Sequence, residues 1–559
     1  MIPILLPMPR RMMLKPSSTH SPQPVIEVID TTTTRSHAYC IEANDKLIRL
    51  IAHDNAALFY ARQTLAQLHQ QLGPALPELR IEDWPDFPVR GVMLDISRDK
   101  VPTMGTLFEL VDLLASWKIN QLQLYTEHTF AYAGHEEVWR GSSPMTGPQI
   151  RALDTYCRDR FVELVPNQNS FGHMERWLKH PRYLPLAEAS DGAQTPWGFR
   201  WEGPFGLCPT DPLCLELLDD LYGQLLPHFS SRLFNVGCDE TFDLGQGRSK
   251  MQCQARGVER VYLDFLSAIR RLVSAHGRRM MFWGDIILNH PELIRHLPHD
   301  VIALCWGYEA TSDLDESARR FAQAGVPFYV CPGTSSWLSI SGRTDNMLAN
   351  QQSAAQAGIK HGAIGYLNTD WGDHGHLQYL PISFPGLAAG AAMSWCLQSN
   401  PAGPTLAAAL DVHAFADAAA VMGRLALNLG NVYQAVGKLL SNRSALFSIL
   451  VPSSAHGDPM EGITVDGLAA AETAIDAAIS NLGAARMKRT DAALIADEFA
   501  NAAQMLKYAC RRGRAALDPA AGQPAELADQ LQRIVQSHHR CWLARNRPGG
   551  LGDSTNRLV

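Results

Sequence analysis

Short apolar runs recur through the middle of the chain, each followed by an amphipathic stretch. They are GVMLDIS (91–97), INQLQLY (119–125), FVELVP (161–166), LFNVGC (233–238), MMFWGD (280–285), VIALCW (301–306), VPFYVC (326–331) and GAIGYLN (362–368). Runs of this length, predominantly apolar and bounded by helical stretches, read as buried strands. Between them lie helical periodicities such as TLFELVDLLASW (106–117) and VYLDFLSAIRRLVSAH (261–276). Eight strands alternating with helices predict an α/β chain folded as a (β/α)₈ TIM barrel. A doubly wound open sheet is the competing arrangement, but no glycine-rich phosphate loop follows the first strand.

The flanks have a different rhythm. Residues 1 to about 20 read as a loose lead. VIEVID and KLIRLIAH then predict strands, and Ala56 to about Leu72 a helix, forming a small α/β domain. Pro85 and Pro88, within LPELRIEDWPDFPVRG, mark its end. From about Pro404 strand-like runs vanish. Alanine-rich helical patterns take over in DGLAAAETAIDAAISNLGAARM (466–487) and ADEFANAAQMLKYACRRGRAAL (496–517). The expected division is therefore 1–84, an accessory α/β domain with its lead; 85–402, the barrel; and 403–559, a C-terminal helical region. That region either packs on the barrel or mediates self-association, as in a homodimer. With 559 residues, more than one core is expected in any case.

Composition removes some classes of function. Forty-nine basic residues against 56 acidic ones give a net charge of −7 without a basic block, which argues against a nucleic-acid partner. The opening MIPILLPMPRRMMLKP places apolar residues before arginines, the reverse of a secretory signal. Its proline-broken run is too short to span a bilayer, so no membrane association is expected. Eleven scattered cysteines lack C-x-x-C spacing, and Cys238, Cys305 and Cys331 lie inside apolar runs. Buried, reduced thiols in a cytoplasmic protein are the expectation.

In a barrel of this kind the chemistry sits at the C-terminal ends of the strands. Those ends carry Ser97-Arg98-Asp99, Thr126-Glu127-His128, Asn167-Gln168-Asn169, Asp239-Glu240, Trp283-Gly284-Asp285, Trp306, Pro332-Gly333-Thr334 and Asp370-Trp371-Gly372-Asp373. Adjacent carboxylates with tryptophans around them suit a sugar: indole faces cover the apolar side of a pyranose while charged groups fix its hydroxyls. Two neighbouring carboxyls also push their pKa values apart, leaving one as acid and one ionised. Most Asp-Glu pairs merely open surface helices; this one stands at the end of the fourth predicted strand. The cluster TDWGDHGH (369–376) brings Asp370, Asp373, His374 and His376 together, but its spacing fits no zinc or calcium motif. No metal or other cofactor is expected.

These motifs resemble those of glycoside hydrolase family 20, the β-N-acetylhexosaminidases. RLFNVGCDETF (232–242) is similar to the family's His-x-Gly-Gly-Asp-Glu strand, with Asn235 and Cys238 in place of its His and second Gly. RGVMLDISRD (90–99) resembles its first strand, with Asp99 where a histidine is usual. VPNQNSFGHMERW (165–177) resembles Pro-Glu-x-Asp-x-Pro-Gly-His and keeps Pro166, Gly172 and His173, while Asn167 and Asn169 replace the acids. FPGLAAGAAMSW (384–395) looks like the closing barrel helix, and FYARQTLAQLHQQL (59–72) like part of the accessory domain.

The resemblance implies removal of terminal β-linked GlcNAc or GalNAc from an oligosaccharide or glycoconjugate, with the substrate's own acetamide as nucleophile. Glu240 would be the general acid and base, and Asp239 would hold the acetamide N–H. Arg98 would grip outer hydroxyls, although an ion pair with Asp95 or Glu127 is the plainer reading of it. Trp283, Trp306 and Trp371 would wall the acetamide pocket. Glu127, Trp337 and Asp373 are further candidate substrate contacts. His173 is either a support for the carboxylates or purely structural. The family's seventh-strand tyrosine is missing from FYVCPGTSSWLSI, which leaves Tyr366 or Asp370 as its replacement. Two other readings stand beside this one. One is an O-GlcNAcase-like hydrolase, against which the Asp-Glu pair argues; the other is a non-catalytic glycan binder on the same barrel.

Overall fold

Each of the eight apolar runs overlaps a strand in the computed structural model, which describes residues 2–15, 21–32, 35–401, 403, 405–453, 457–518 and 524–559. The strands are Val89–Asp95, Gln121–Tyr125, Glu163–Val165, Leu233–Asn235, Arg279–Trp283, Ile302–Trp306, Phe328–Cys331 and Gly365–Asp370. All neighbours in the sheet are parallel, and the order runs from the fourth strand to the eighth and then from the first to the third. The third and fourth strands meet just beyond their ends. There the Gln168 N–H donates to Asn235 O and the Asn235 N–H to Pro166 O, each at 3.0 Å. The sheet therefore closes on itself, and the open-sheet alternative falls.

Helices surround this ring because each presents one apolar stripe to it. Met104–Ser116 buries Leu107, Leu110, Val111 and Leu114, while Val258–Ala275 buries Val261, Phe265, Leu266, Ile269 and Val273. The closing helix Leu380–Trp395 is almost wholly buried and has apolar residues on all sides.

The first residues are not a loose lead. Leu5 and Leu6 are buried, and Arg11–Leu14 pairs antiparallel with Leu79–Asp83. Residues 16–20 of the expected lead lie outside the described residues. The accessory sheet has five strands, in the order Arg11–Leu14, Leu79–Asp83, Tyr39–Ala43, Ile48–Ala52, Val25–Ile29, and the helix Asn55–Leu72 covers it. The strand Leu79–Asp83 lies just before the boundary prolines and is not among the expected strands, because its charged residues obscure the alternation. Asp83 ties this domain to the barrel, accepting from Tyr39 Oη at 2.5 Å, Lys118 Nζ at 3.2 Å and Trp395 Nε1 at 2.9 Å.

Downstream, the position of Pro404 itself lies outside the described residues. The segment 466–487 is not one helix: Val465–Ile479 ends before a short turn of 3₁₀ helix at Leu482–Ala484. Ala492–Leu517 and Pro524–Arg545 complete the main helices. This region packs on the barrel. Arg545 O accepts the Thr103 N–H at 2.9 Å, and the Arg545 guanidinium meets buried Glu498 at 2.7 and 2.8 Å. Strands are not wholly absent here either, because Leu439–Leu440 and Arg443–Ser444 form a small hairpin.

Candidate active site

The fourth strand ends at Asn235, and the chain then turns through an unusual backbone. Gly237 (φ 69°), Cys238 (φ 71°) and Glu240 (φ 50°) all lie in the left-handed region. For the two non-glycine residues this costs about 1–3 kcal/mol each. At Gly237 a Cβ would come within 1.9 Å of Asn169 Oδ1, so only glycine fits. The bend is held by Tyr262 Oη donating to Cys238 O at 2.8 Å and by the Glu240 N–H donating to Asp285 Oδ2 at 3.0 Å. Its effect is to aim both Asp239 and Glu240 into one cavity, where a regular strand would send them to opposite sides.

His173 stands between the two acids. Its Nε2 lies 3.4 Å from Asp239 Oδ2 and 3.4 Å from Glu240 Oε2. Gly172 permits the approach, since a Cβ there would sit 2.5 Å from Asp239 O. Burial opposes charge on the imidazole, but Asp239 and then Glu240 overcome it and raise its pKa well above the ordinary value. Among the described residues these three are the grouping whose donor atoms lie within 4.8 Å of one another, the spacing a metal ion would require. Asp370 and His376 of the 369–376 cluster do not join a comparable group: Asp370 accepts from Thr334, Ser336 and Ser383, and His376 is buried, its backbone oxygen accepting from Lys100 Nζ at 3.0 Å.

Behind the pair, burial pushes the Asp285 carboxyl up to about 8, and the charge of Asp239 adds to the effect. On the opposite side of the cavity Arg98 is a hub. It lies 3.1 Å from Asp95, 3.4 Å from Glu127 and 3.0 Å from Asp373. Burial raises the Asp95 carboxyl to about 6 even though Arg98 draws it down. Arg98 is ion-paired, the plainer of its two sequence readings, and it also lines the cavity.

Aromatic rings form the remaining wall. Trp283 and Trp371 have centroids 6.0 Å apart; Trp306 stacks on Tyr308 at 5.1 Å; Trp337 meets Tyr308 edge-on at 5.2 Å. Trp371 in turn packs edge-on against Tyr125 at 4.6 Å. Several buried polar atoms in this chamber, Asp239 Oδ1 and the Trp283 indole N–H among them, make no hydrogen bond to the protein. The cavity measures about 530 Å³, a normal size for a small-ligand site.

Of the residues expected here from sequence, Arg98, His173, Asp239, Glu240, Trp283, Trp306, Trp337, Trp371 and Asp373 line the cavity. Glu127 lies one layer back, accepting from Tyr125 Oη at 3.0 Å and facing Arg98. Tyr366 is misplaced: its ring packs 5.5 Å from Phe87, and its hydroxyl donates to Gln351 O at 3.4 Å, on the helix side of the eighth strand. Asp370 is consumed by its three hydroxyl donors. The tyrosine that reaches the cavity is Tyr308, two residues beyond the sixth strand. The strand-end rule applied to ALCWGY contains this signal.

The substituted motif residues also have work. Asn167 Oδ1 accepts the Thr126 N–H at 3.0 Å, and Asn169 Nδ2 donates to Tyr125 Oη at 2.5 Å. Asp99 binds His128 at 2.7 Å and Arg176 at 3.0 Å. Ser441 and Asn442, at the tip of the C-terminal hairpin, complete the rim. Asn442 accepts from Trp337 Nε1 at 3.0 Å and donates its N–H to Glu309 at 2.7 Å. Nothing local in the sequence announces that contact.

A closed eight-stranded barrel with a carboxylate pair and an aromatic chamber at its strand ends defines a glycoside hydrolase. The pattern described as "Glycosyl hydrolase family 20, catalytic domain" matches residues 87–367, and "Glycosyl hydrolase family 20, domain 2" matches residues 10–84. The chain belongs to glycosyl hydrolase family 20. It is 24% identical to Hexosaminidase D of Homo sapiens over 340 residues, covering 56% of this chain and 65% of the human one. It is also 24% identical to Hexosaminidase D of Bos taurus, covering 56% of this chain and 91% of that protein. The Flavobacterium johnsoniae chitobiase structure aligns over 97% of this chain and 99% of its own, with a TM-score of 0.60 and 15% identity, a likeness of fold. No helix among the described residues is long and apolar enough to cross a membrane.

Proposed function

We propose that the protein is an exo-acting, retaining β-N-acetylhexosaminidase that removes terminal β-linked GlcNAc or GalNAc by substrate-assisted catalysis. The observation that carries this reading is the turn of Asp239 and Glu240 into one cavity beside the ring of Trp283, Trp306, Trp371 and Tyr308. Family 20 enzymes use the substrate's acetamide as nucleophile. Protonated Glu240 gives its proton to the glycosidic oxygen while the acetamide oxygen attacks C1, and the aglycone departs as an alcohol. Asp239 accepts the acetamide N–H and stabilises the cationic oxazolinium ring. Glu240, now a carboxylate, takes a proton from water as the water attacks C1, so the anomeric configuration is retained. Tyr308 donates its hydroxyl to the acetamide oxygen, taking the place of the missing seventh-strand tyrosine. Arg98 and Asp373 bind the outer hydroxyls, and His173 keeps the two acids apart and partly neutralised.

The test is hydrolysis of aryl β-GlcNAc, aryl β-GalNAc and aryl β-glucoside by wild type, Asp239→Asn and Glu240→Gln. Turnover confined to the acetamido sugars and lost in both variants is expected. A folded wild type that binds sugar without turning it over would transfer the assignment to a glycan-binding protein. We propose further that the protein works in the cytoplasm, a reading supported by its cysteines: all eleven are free and ten are buried. Its recovery from a periplasmic or secreted fraction would refute that. Homodimerisation is a separate proposal, read directly from the mass in solution by light scattering.

A further inference from the structure

The cavity does not end at Glu240. It continues to Trp197, a residue 53% exposed and outside the barrel strands. Trp197 stands at the tip of a short hairpin, Ala193–Gln194 with Arg200–Trp201. The turn is tight: the Thr195 N–H donates to Phe199 O at 2.9 Å, and Gly198 adopts φ 88°. A large apolar side chain exposed this way is ordinarily mobile, but this one is held. Its ring stacks on Phe199 with centroids 6.0 Å apart and meets Phe242 edge-on at 5.7 Å. Gln246 ties the hairpin down, accepting the Gln194 N–H at 2.9 Å and donating to Gln194 O at 2.9 Å and Phe242 O at 2.7 Å.

Phe242 gives the platform its direction. It lies two residues after Glu240, and its N–H donates to Glu240 O at 2.7 Å. Trp197 is thus anchored to the loop that carries the proton donor. A proton donor lies beside the bond it cleaves, so the group beyond that bond leaves on this side of the cavity. A rigid indole face exposed there suits the apolar face of a pyranose ring, and immobility in advance reduces the ordering cost of binding.

We infer that Trp197 is the stacking platform for the sugar on the leaving side of the scissile bond, which makes the protein selective for glycosides whose aglycone is itself a pyranose. The inference rests on the assignment of Glu240 as proton donor. The test compares kcat/KM for methyl β-GlcNAc with that for the disaccharide of two β-linked GlcNAc units, in wild type, Trp197→Ala and Trp197→Phe. The disaccharide-to-methyl ratio is expected to fall about tenfold in Trp197→Ala, or about 1.4 kcal/mol, and to recover most of the way in Trp197→Phe. An unchanged ratio would overturn the inference, whatever happens to the absolute rates. Absence of turnover in wild type would count against the catalytic assignment instead. The platform is then decided by calorimetry of the same disaccharide with Glu240→Gln and with Glu240→Gln carrying Trp197→Ala. Weaker binding in the double variant upholds the platform, and equal binding rejects it.

Discussion

The backbone N–H of Glu240 donates to Asp285 Oδ2 at 3.0 Å, so the left-handed turn that aims the proton donor is held by a third buried carboxyl. Asp285 keeps its proton in the folded protein up to about pH 8, whereas in the unfolded chain it ionises from its ordinary 3.8. Below that lower value both states are protonated and its effect on stability is nil. As pH rises toward 8 only the unfolded chain releases the proton, and folding loses about 1.4 kcal/mol for each pH unit crossed. Asp285→Asn retains an acceptor for Glu240 and cannot ionise. Its melting temperature relative to wild type is expected to climb between pH 4 and pH 8. Scanning calorimetry across that window checks the sign, and a flat difference would show that Asp285 does not titrate as described.

Arg98 holds Asp95, Glu127 and Asp373 around a single guanidinium. Removing it in Arg98→Ala leaves three carboxyls facing each other without a cation. Loss of roughly 3 kcal/mol of stability is expected, the low end for breaking a buried pair. Activity should be lost with it. Arg98→Lys should recover part of the stability but little activity, since an ammonium cannot reproduce a planar fork with several partners. Denaturant melts and steady-state rates on the same preparations separate the two effects.

Gly172→Ala tests how closely two loops must approach. The new Cβ meets the backbone oxygen of Asp239 at 2.5 Å, and backbone cannot swing aside as a side chain would. Displacement of the catalytic turn by about 1 Å should cost about 10²-fold in kcat/KM. The clash is buried, so stability should fall as well, by about 1–3 kcal/mol. An active Gly172→Ala enzyme would mean that the turn has slack the geometry does not suggest.

Tyr308→Phe removes one hydroxyl and keeps the ring that stacks on Trp306. If that hydroxyl steadies the acetamide oxygen as charge shifts during attack, kcat should drop about 10²–10³-fold with KM much less affected. The matching Tyr366→Phe change, on the helix side of the eighth strand, should leave the kinetics as they are. The pair of variants discriminates the two tyrosines directly.

That pair also shows where sequence reasoning reaches its end. The eight short, mostly apolar runs predict the barrel because they alternate with helical stretches, as parallel strands covered by helices do. Their mostly apolar character hides which way each side chain points. All six residues of Gly365–Asp370 are buried, so no polar alternation distinguishes Tyr366, facing the helices, from a residue facing the cavity. Asp239 and Glu240 are legible because strand ends carry the chemistry and the motif is local. Asn442 is not, because it lies more than a hundred residues from Trp337, its partner. Leu5 and Leu6 escape notice for a similar reason. Prolines and arginines nearby disguise a segment that is ordered by distant contacts, including the Gln67 side chain that accepts the Leu6 N–H at 2.9 Å.

The hairpin tip at Asn442 has a consequence for how the molecule is partitioned. It fastens Trp337 on one side and Glu309 on the other, and Glu309 is clamped in turn by the buried Arg343 fork at 3.0 and 2.7 Å. The barrel is therefore not a self-sufficient cassette with an appendage. Cutting the chain where the last barrel helix ends would keep every strand yet remove a corner of the chamber in which the sugar sits. The C-terminal region is thus part of the chamber wall, and replacing it would change what lines the cavity.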